Sequence, residues 1–372
     1  MLKRITLFVL FGMLASVAGA QTRETFLLTF IPNVQFSPLY VALERGLFAD
    51  VADEIDVQYL NEPDVVDLVA LGNANFGIVS GEQVLLSVAN GRDVVYVHSW
   101  FSRYPIGIVV DADSDIASVE DLRGRVVGIP GRFGASYSGL TAMLLANGMT
   151  ENDILLEEIG FNAPEVFCLG RVEASVVYSN NEPLQIRNRA QVGECGDVRD
   201  VRVFAVGEAV DLVANGIITS RALLERDPDT VRAFVAAWHG GLTIAIQNPA
   251  RAYLDSLPYV QNLSMSDALR AELERLDAEQ VAFLTTSPSR EAIAESRLAM
   301  SEALHAQFDA KSLLQWDVLL ATIDLWDSEK LGESELSSWQ AMQETLLSMG
   351  LLNAPLDLSA LYSNDFVPSE AE

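Results

Sequence analysis

Short apolar runs alternate with segments of helical periodicity along the first two thirds of the chain. Residues 26–30 predict a strand, residues 38–45 a helix and residues 55–60 a second strand. The alternation continues to a strand at 94–99, and a second series of strands and helices follows from residue 106 to residue 204. Strands and helices in alternation are typical of α/β proteins with parallel strands, so we predict two α/β lobes.

After residue 219 the pattern changes to an almost wholly helical one. Apolar residues recur at helical spacing in five stretches, 231–246, 265–283, 290–308, 314–326 and 337–349. These stretches predict a helical C-terminal part, and the last residues, 363–372, are expected to fray.

The apolar segment at 211–219 lies between the second series and these helices. It is expected to bring the chain back to the first lobe. We therefore predict lobe 1 from residues 21–106 plus 218–372 and lobe 2 from residues 107–217. Two crossover segments would join the lobes around a cleft, which is where ligands bind in open α/β sheets.

The first twenty residues have the pattern of a secretory signal peptide. Lys3 and Arg4 precede an apolar run at 5–17, and Ala18-Gly19-Ala20 is a small-residue cleavage site. Position 21 is Gln, so the cysteine needed for lipid attachment is missing there. We expect a periplasmic or otherwise exported protein that is soluble after cleavage and is not stably inserted in the membrane.

Charge restricts the classes of partner. The chain contains 52 Asp and Glu residues against 24 Lys and Arg residues, a formal net charge of −28. An acidic surface of this kind disfavours nucleic acid and anionic membranes. Small molecules and other proteins are the expected partners, and the protein is expected to be a monomer.

The two cysteines, Cys168 and Cys195, have two possible interpretations. In an exported protein they can form a disulfide, which would contribute about 3 kcal/mol by closing its loop. They can equally be two buried thiols. His98, His239 and His305 are scattered along the sequence, so no metal site is predicted.

Candidate binding residues follow the predicted strands. The loop 128–137 is a glycine-rich turn between a strand and a helix, where Ser136 is a candidate N-cap. Backbone N–H groups at such a helix start can face a ligand, and Gly131 and Gly134 allow a close approach. No Gly-Lys-Ser/Thr follows, so the loop is not a Walker phosphate loop.

Flat and polar side chains in these loops predict a site for a planar heterocycle. Two rings can clamp a flat ligand, while amide, hydroxyl and carboxylate groups pair with its polar edge. The predicted ligand-binding residues are Asn33, Phe36, Tyr40, Ser80, Trp100, Arg132, Phe133, Ser136, Tyr137, Tyr178, Asn181 and Glu182.

Several of these residues have an ordinary structural alternative. Phe36 and Tyr40 can simply pack the first helix, and Asn181 or Glu182 can cap the helix that follows. Arg132 near a helix start raises the possibility of a phosphate or carboxylate on the ligand, although it can also pair with Glu182.

Four segments together resemble a known family. They are residues 33–48 (NVQFSPLYVALERGLF), 71–83 (LGNANFGIVSGEQ), 121–137 (DLRGRVVGIPGRFGASY) and 170–183 (GRVEASVVYSNNEP). They resemble the substrate-binding proteins of ABC importers. The branch in question contains the bacterial binding proteins for thiamine-pyrimidine precursors and riboflavin, and the yeast thiamine pyrimidine synthase.

This resemblance implies an α/β bilobal periplasmic-binding-protein fold of type II. The lobes would close over a small heteroaromatic ligand, and the protein would hand it to an ABC permease with its ATPase. The segments GIPGRFGASY and YSNNEP look most similar to riboflavin-binding members. Riboflavin is thus the first expected ligand, a thiamine-pyrimidine precursor the second, and a sulfonate or other small anion the third.

An enzyme is the main competing class, because the yeast relative makes a pyrimidine from its own histidine and pyridoxal phosphate. Pyridoxal phosphate needs a lysine to form its Schiff base. The three lysines are Lys3 in the signal segment and Lys311 and Lys330 in the helical part. No Ser-His-Asp or Cys-His spacing stands out either, so we predict neither catalysis nor a cofactor.

Overall fold

The computed structural model describes residues 22–261 and 263–369. The signal peptide predicted for residues 1–20 lies outside the described residues, and its cleavage stays a prediction. None of the helices in the described part of the chain is both long and apolar enough to cross a membrane.

The first part of the chain alternates strands and helices, as predicted. Its elements are β1 (Arg23–Thr29), α1 (Ser37–Glu44), β2 (Glu54–Leu60), α2 (Glu62–Ala70), β3 (Phe76–Val79), α3 (Gly81–Ala89) and β4 (Val94–Ser99). Strand β1 pairs in parallel with both β2 and β3. All four residues of β3 are buried, as expected for a strand covered by helices on both faces.

A second series follows and then returns to the first sheet. Its elements are β5 (Ile106–Asp111), β6 (Val126–Ile129), α4 (Gly134–Ala146), β7 (Leu155–Glu158), α5 (Ala163–Cys168), β8 (Ala174–Tyr178), α6 (Glu182–Gln191), β9 (Val201–Ala205), α7 (Val206–Ala209) and β10 (Gly216–Ser220). Residues 119–122, within this series, form a short 3-10 helix. Ser118 and Asp121 form a capping box there, which satisfies the backbone N–H groups of that turn.

The two five-stranded sheets have the same topology. Their strand orders are β2-β1-β3-β10-β4 and β7-β6-β8-β5-β9. In each sheet the fourth strand is antiparallel to both of its neighbours. The predicted lobe boundaries, 106/107 and 217/218, fall inside β5 and β10, because Ile106 lies in the second sheet and Ile217 in the first.

The remaining chain is helical, which confirms the predicted helical C-terminal part. Its helices are α8 (Arg221–Arg226), α9 (Pro228–Gln247), α10 (Pro249–Asp255), α11 (Asp267–Leu284), α12 (Arg290–His305), α13 (Ala310–Trp326) and α14 (Leu336–Ser348). Helix α9 packs on the first sheet, where the rings of Phe76 and Phe234 stack with centroids 3.7 Å apart. Gly241 lets α9 approach α1, since a Cβ there would lie 2.1 Å from the carbonyl oxygen of Pro38.

The C-terminal segment is more ordered than its polar sequence predicts. The backbone N–H of Ser363 donates to the carbonyl of Tyr96 at 2.9 Å, next to a bridge between Tyr96 and Tyr362. The side chain of Asn364 accepts from the N–H of Ser334 at 3.0 Å. The expectation of fraying was therefore wrong for residues 363–369, which pack on the first lobe, and residues 370–372 lie outside the described residues.

Cys168 and Cys195 are joined by a disulfide. Cys168 ends α5, Cys195 follows α6, and both sulfur-bearing side chains are buried in a small core that also contains Phe167 and Ile186. This core is separate from the large one that fills the rest of the protein. The disulfide therefore reinforces the part of the second lobe with the least apolar packing.

Removing this disulfide should destabilise the protein without affecting ligand binding. For a sequence separation of 27 residues, the double variant Cys168→Ser, Cys195→Ser should lose about 3 kcal/mol of unfolding free energy. Denaturant unfolding measures this loss, and the reduced wild-type protein is the matched control. An unchanged midpoint in both samples would show that the disulfide constrains nothing that the fold does not already fix.

Candidate functional site

A cleft lies between the carboxyl ends of the strands of the two sheets. Its larger cavity is lined by side chains of both lobes, among them Phe30, Glu62, Phe133, Ser136, Phe161 and Tyr178. An adjoining cavity shares Phe30, Tyr178 and Glu182 with it and adds Phe36, Trp100 and Asn215. This position agrees with the rule that open α/β sheets bind ligands beyond their strand ends.

The cleft is closed in this conformation. The two cavities measure about 50 and 30 Å³, which is room for a few waters, whereas sites for vitamin-sized ligands measure about 300–1,000 Å³. Asn180 helps to hold the lobes together by donating to Gln35 and Thr322, both at 2.7 Å. A ligand of vitamin size therefore needs the lobes to move apart before it can enter.

An aromatic contact closes the mouth of the cleft. Phe30, at the end of β1, meets Phe161, after β7, with ring centroids 5.0 Å apart and the planes nearly perpendicular. Phe30 has a φ of 74°, in the left-handed region that residues other than glycine rarely adopt. Such a conformation costs about 1–3 kcal/mol and tends to occur at functional sites. Phe161 remains 45% exposed, so it can swing outward at little cost in buried surface.

Three carboxyl groups lie at the base of the cleft: Glu62 and Glu82 are buried, and Glu182 is half-buried. Glu62, the first residue of α2, accepts from the backbone N–H of Ser80 at 2.9 Å and from the Ser80 hydroxyl. Across the cleft it lies against the backbone of Gly134 in the second lobe, where a Cβ atom would come within 2.7 Å of Glu62 Oε1. The Glu62 carboxylate therefore contacts both lobes.

The Ser80 hydroxyl fixes where the proton of this cluster lies. Ser80 Oγ is in hydrogen-bond contact with both Glu62 and Glu82, but a hydroxyl has one hydrogen to donate. One of the two carboxyls must therefore be protonated and donate to Ser80. Burial and the charge of Glu62 raise the pKa of Glu82 to about 8, so Glu82 carries that proton at neutral pH.

Glu182 supplies the third carboxyl from the second lobe. It begins α6 and accepts from the backbone N–H of Tyr178 at 2.9 Å. Burial raises the pKa of Glu182 to about 7. The Tyr178 hydroxyl donates to the side-chain oxygen of Asn215 at 3.2 Å. Tyr178 therefore connects Glu182 with the crossover segment that contains Asn215.

Half of the predicted site residues lie on the cleft cavities. These are Phe36, Trp100, Phe133, Ser136, Tyr178 and Glu182. Phe36 and Trp100 stack with centroids 5.2 Å apart, so they form one wall. Ser136 was expected to be the N-cap of α4, but the helix begins two residues earlier at Gly134, with Phe133 in the cap position. That these six residues contact a ligand stays a prediction.

Three other predicted residues make their contacts with residues of the first lobe. Asn33 caps a short 3-10 helix by accepting from the N–H of Gln35 at 3.0 Å. Tyr40 is buried and stacks on Tyr259, with its hydroxyl 3.0 Å from that of Tyr59. Ser80 is fully buried among the carboxyl groups described above. The structure places none of the three on the cavity walls.

The last three predicted residues make their contacts with residues of the second lobe. Arg132 pairs with Glu151 at 2.9 Å and with Glu158 at 2.6 Å. The suggested pairing of Arg132 with Glu182 is therefore wrong. The Tyr137 hydroxyl donates to the same Glu151 at 2.8 Å.

Asn181 occupies the N-cap position of α6, but its side chain makes no capping hydrogen bond there; its oxygen accepts from the Gln185 side chain at 2.8 Å. Its side chain is directed into this local contact and does not line the two cavities.

The sequence-based reasoning missed Phe30, Phe161 and Glu62. Phe30 had been counted as the last residue of a strand, and Phe161 lies in a loop that carried no other signal. Glu62 looks like an ordinary acidic residue in the first turn of a helix, where such residues are common. Its burial and its contact with Gly134 depend on how the two lobes meet, which local sequence does not encode.

The family model described as NMT1/THI5 like matches residues 33–252. The chain belongs to this family. It is 32% identical over 347 residues to the riboflavin-binding protein RibY of Chloroflexus aurantiacus, covering 92% of this chain and 86% of the relative. Family membership agrees with the resemblance that the sequence suggested.

Two further relatives show the range of the family. The formylaminopyrimidine-binding protein of Halalkalibacterium halodurans is 28% identical, over 61% of this chain and 67% of the relative. The 4-amino-5-hydroxymethyl-2-methylpyrimidine phosphate synthase of Legionella pneumophila is 22% identical, over 64% of this chain and 74% of the relative. The family thus contains proteins named as binders and proteins named as synthases.

A solved structure shows the fold. The ligand-binding component of an ABC-type import system from Staphylococcus aureus superposes with a TM-score of 0.60 at 12% identity, covering 93% of this chain and 98% of that one. The chain has the bilobal fold of the periplasmic binding proteins. The relative that matches most of its length, RibY, is named as a binding protein, and so is the ligand-binding component whose fold it shares.

Histidines do not take part in the cleft. His98 is buried and its Nε2 lies 3.1 Å from Nδ1 of His239, outside both cavities. Burial and the neighbouring imidazole lower the pKa of His98 well below its usual value, so the ring is neutral. Within residues 22–261 and 263–369, no group of three or more His, Cys, Asp or Glu residues is placed to hold a metal ion.

Replacing Glu82 with Gln should stabilise the protein at alkaline pH. The pKa of Glu82 is raised from 4.5 to about 8, so the folded protein holds a proton that the unfolded chain releases. This contribution to stability is complete below pH 4.5 and is lost as the pH rises through about 8. Gln cannot ionise and still donates to Ser80. We expect E82Q to gain about 2 kcal/mol of unfolding free energy over wild type at pH 8.5 and almost nothing at pH 4.5.

Denaturant unfolding at the two pH values measures this difference. The matched control is Glu225→Gln, which removes the same charge from an exposed position on α8. A stability difference between E82Q and wild type that is the same at both pH values would contradict the assignment of the proton to Glu82.

Proposed function

We propose that this protein is the solute-binding component of an ABC importer and that its ligand is a small heteroaromatic vitamin, riboflavin in the first place. The lobes close over the ligand, and the protein then delivers it to a membrane permease with its ATPase. This proposal includes export through the predicted signal peptide and action as a monomer in the periplasm.

The lining of the cleft is the observation that carries the ligand class. Seven aromatic rings line the two cavities: Phe30, Phe36, Trp100, Phe101, Phe133, Phe161 and Tyr178. Among the described lining residues there is no Arg, Lys or His. Rings recognise flat apolar faces, and a cavity without cations suits an uncharged ligand better than an anion.

The polar groups of the cleft suit the edge of such a ring system. Glu182 and Asn215 can accept hydrogen bonds from ring N–H or hydroxyl groups. In its protonated form, Glu182 can instead donate to ring nitrogens or carbonyls. An isoalloxazine ring with a polyhydroxylated chain offers both kinds of group. The likeness to a riboflavin-binding protein supports the same choice.

A thiamine-pyrimidine precursor is the second candidate. Its exocyclic amine can donate a hydrogen bond to a carboxylate of the cavity wall such as Glu62 or Glu182. One relative is also named for binding a formylaminopyrimidine. A sulfonate or other small anion is disfavoured, because the Arg132 guanidinium is already paired with two carboxylates. Either ring compound would contact both lobes and so shift the population from the open to the closed state by a hinge motion.

A thermal-shift titration of the mature protein tests the ligand class. The panel is riboflavin, thiamine, an aminopyrimidine and an aliphatic sulfonate. A ligand at about 100 times its dissociation constant stabilises the folded state by about 2.7 kcal/mol, which is a clear rise in melting temperature. A rise with riboflavin supports the proposal, a rise with the aminopyrimidine alone moves the assignment to the second candidate, and a rise with the sulfonate alone refutes both.

Phe161→Ala should weaken riboflavin binding by about tenfold, because the ring loses both stacking and burial against the ligand. The side chain is 45% exposed, so the variant should keep its melting temperature in the absence of ligand. Isothermal titration calorimetry measures the affinity. Leu169→Ala is the matched control, an exposed apolar residue of the same lobe outside the cavities. Equal affinities of the two variants would remove Phe161 from the site.

A further inference from the structure

The start of α4 is occupied by a carboxylate of the other lobe. The Glu62 side chain reaches the first turn of this 13-residue helix, and Glu62 and Ala135 line the same cavity. A Cβ atom placed on Gly134 would lie 2.7 Å from Glu62 Oε1 and 3.0 Å from its carboxyl carbon. The carboxylate thus lies directly against the backbone at the N-terminus of the helix.

A helix N-terminus in a binding cleft ordinarily attracts the anionic group of a ligand. Here the position is part of the cavity wall, since Glu62, Ala135 and Ser136 all line the larger cavity. A ligand that carries a phosphate would have to place it where the Glu62 carboxylate already lies. Two anions in one desolvated site repel each other strongly.

Glu62 is fixed to the first lobe and would not leave with the second. Its hydrogen-bond partners there are the backbone N–H of Ser80 at 2.9 Å and the Ser80 hydroxyl. Across the cleft it lies against the backbone of Gly134. When the lobes separate, Glu62 therefore stays on its own wall, and it meets α4 again when they close.

We propose that Glu62 is a specificity-determining residue that makes the cleft reject phosphorylated ligands and accept their uncharged counterparts. This proposal rests on the proposed function, because it names which members of the ligand class are excluded. The rejection has two parts: the carboxylate fills the position, and its charge repels an anion.

Affinities for a matched pair of ligands test the proposal. Wild-type protein should bind riboflavin at least about 100-fold more tightly than flavin mononucleotide, which differs by one phosphate. Glu62→Ala should reduce this ratio to below about tenfold, because the N-terminus of α4 becomes free to bind the phosphate. Isothermal titration calorimetry with both ligands gives the two ratios.

Asp64→Ala is the matched control. Asp64 lies in the same first turn of α2 and carries the same charge, but it is exposed and outside the cavities. Its ratio should equal that of wild type. Glu62→Gln is the second variant in case Glu62→Ala does not fold. The glutamine side chain would keep the shape and lose the charge, so the ratio of this variant should fall between the other two.

A second measurement does not depend on the vitamin. Inorganic phosphate is titrated into ¹⁵N-labelled protein while the amide signals of Ala135 and Ser136 are followed by NMR. We expect these signals to shift with millimolar phosphate in Glu62→Ala and to stay unchanged in wild type and Asp64→Ala.

Three results would overturn the proposal: wild-type protein that binds both flavins equally, a Glu62→Ala variant that keeps the wild-type ratio, or amide signals that respond to phosphate equally in all proteins. If wild type binds neither flavin, the proposed riboflavin function fails, and the phosphate titration alone then decides the role of Glu62. The two failures are therefore distinguishable.

Discussion

The closed cleft depends on a buried carboxylate that has no cation beside it. Glu62 accepts hydrogen bonds from the backbone and hydroxyl of Ser80, and across the cleft it lies against the backbone of Gly134. A buried charge without donors would be very costly, so the donors must stay in place. This requirement ties the start of α2 to the start of α3 and brings both against the N-terminus of α4. Glu82 adapts to it by keeping its proton.

Around this polar base the cleft is aromatic, and its mouth is closed by a strained contact. Phe30 holds a left-handed backbone conformation and meets Phe161 of the other lobe edge to face. Strain of this kind persists where the surrounding structure enforces it. A flat ligand that enters between the lobes can replace the ring contact with two ring–ligand contacts. The same residues thus serve both the closed state without ligand and the bound state.

Much of the architecture could be predicted from the sequence, because strand and helix periodicity is a local property. The alternating elements of both lobes and the five long C-terminal helices appear in the structure at or near their predicted positions. The site was harder to predict. Trp100 and Tyr178 follow strands and do line the cleft, whereas Tyr40 and Arg132 have partners outside it. Glu62 and Phe161 acquire their roles only when the lobes meet, and Ser363 is ordered by a distant strand.

The distance between the lobes in solution tests most directly that this cleft closes over a flat ligand. Leu71 and Leu155 are exposed, lie on different lobes and are outside the cleft cavities, so cysteines there can carry spin labels. The native cysteines are bonded to each other and do not compete for the label. Pulsed electron spin resonance should show a long and a short distance without ligand, and the short one alone with saturating riboflavin. A distance distribution that riboflavin leaves unchanged would contradict the account.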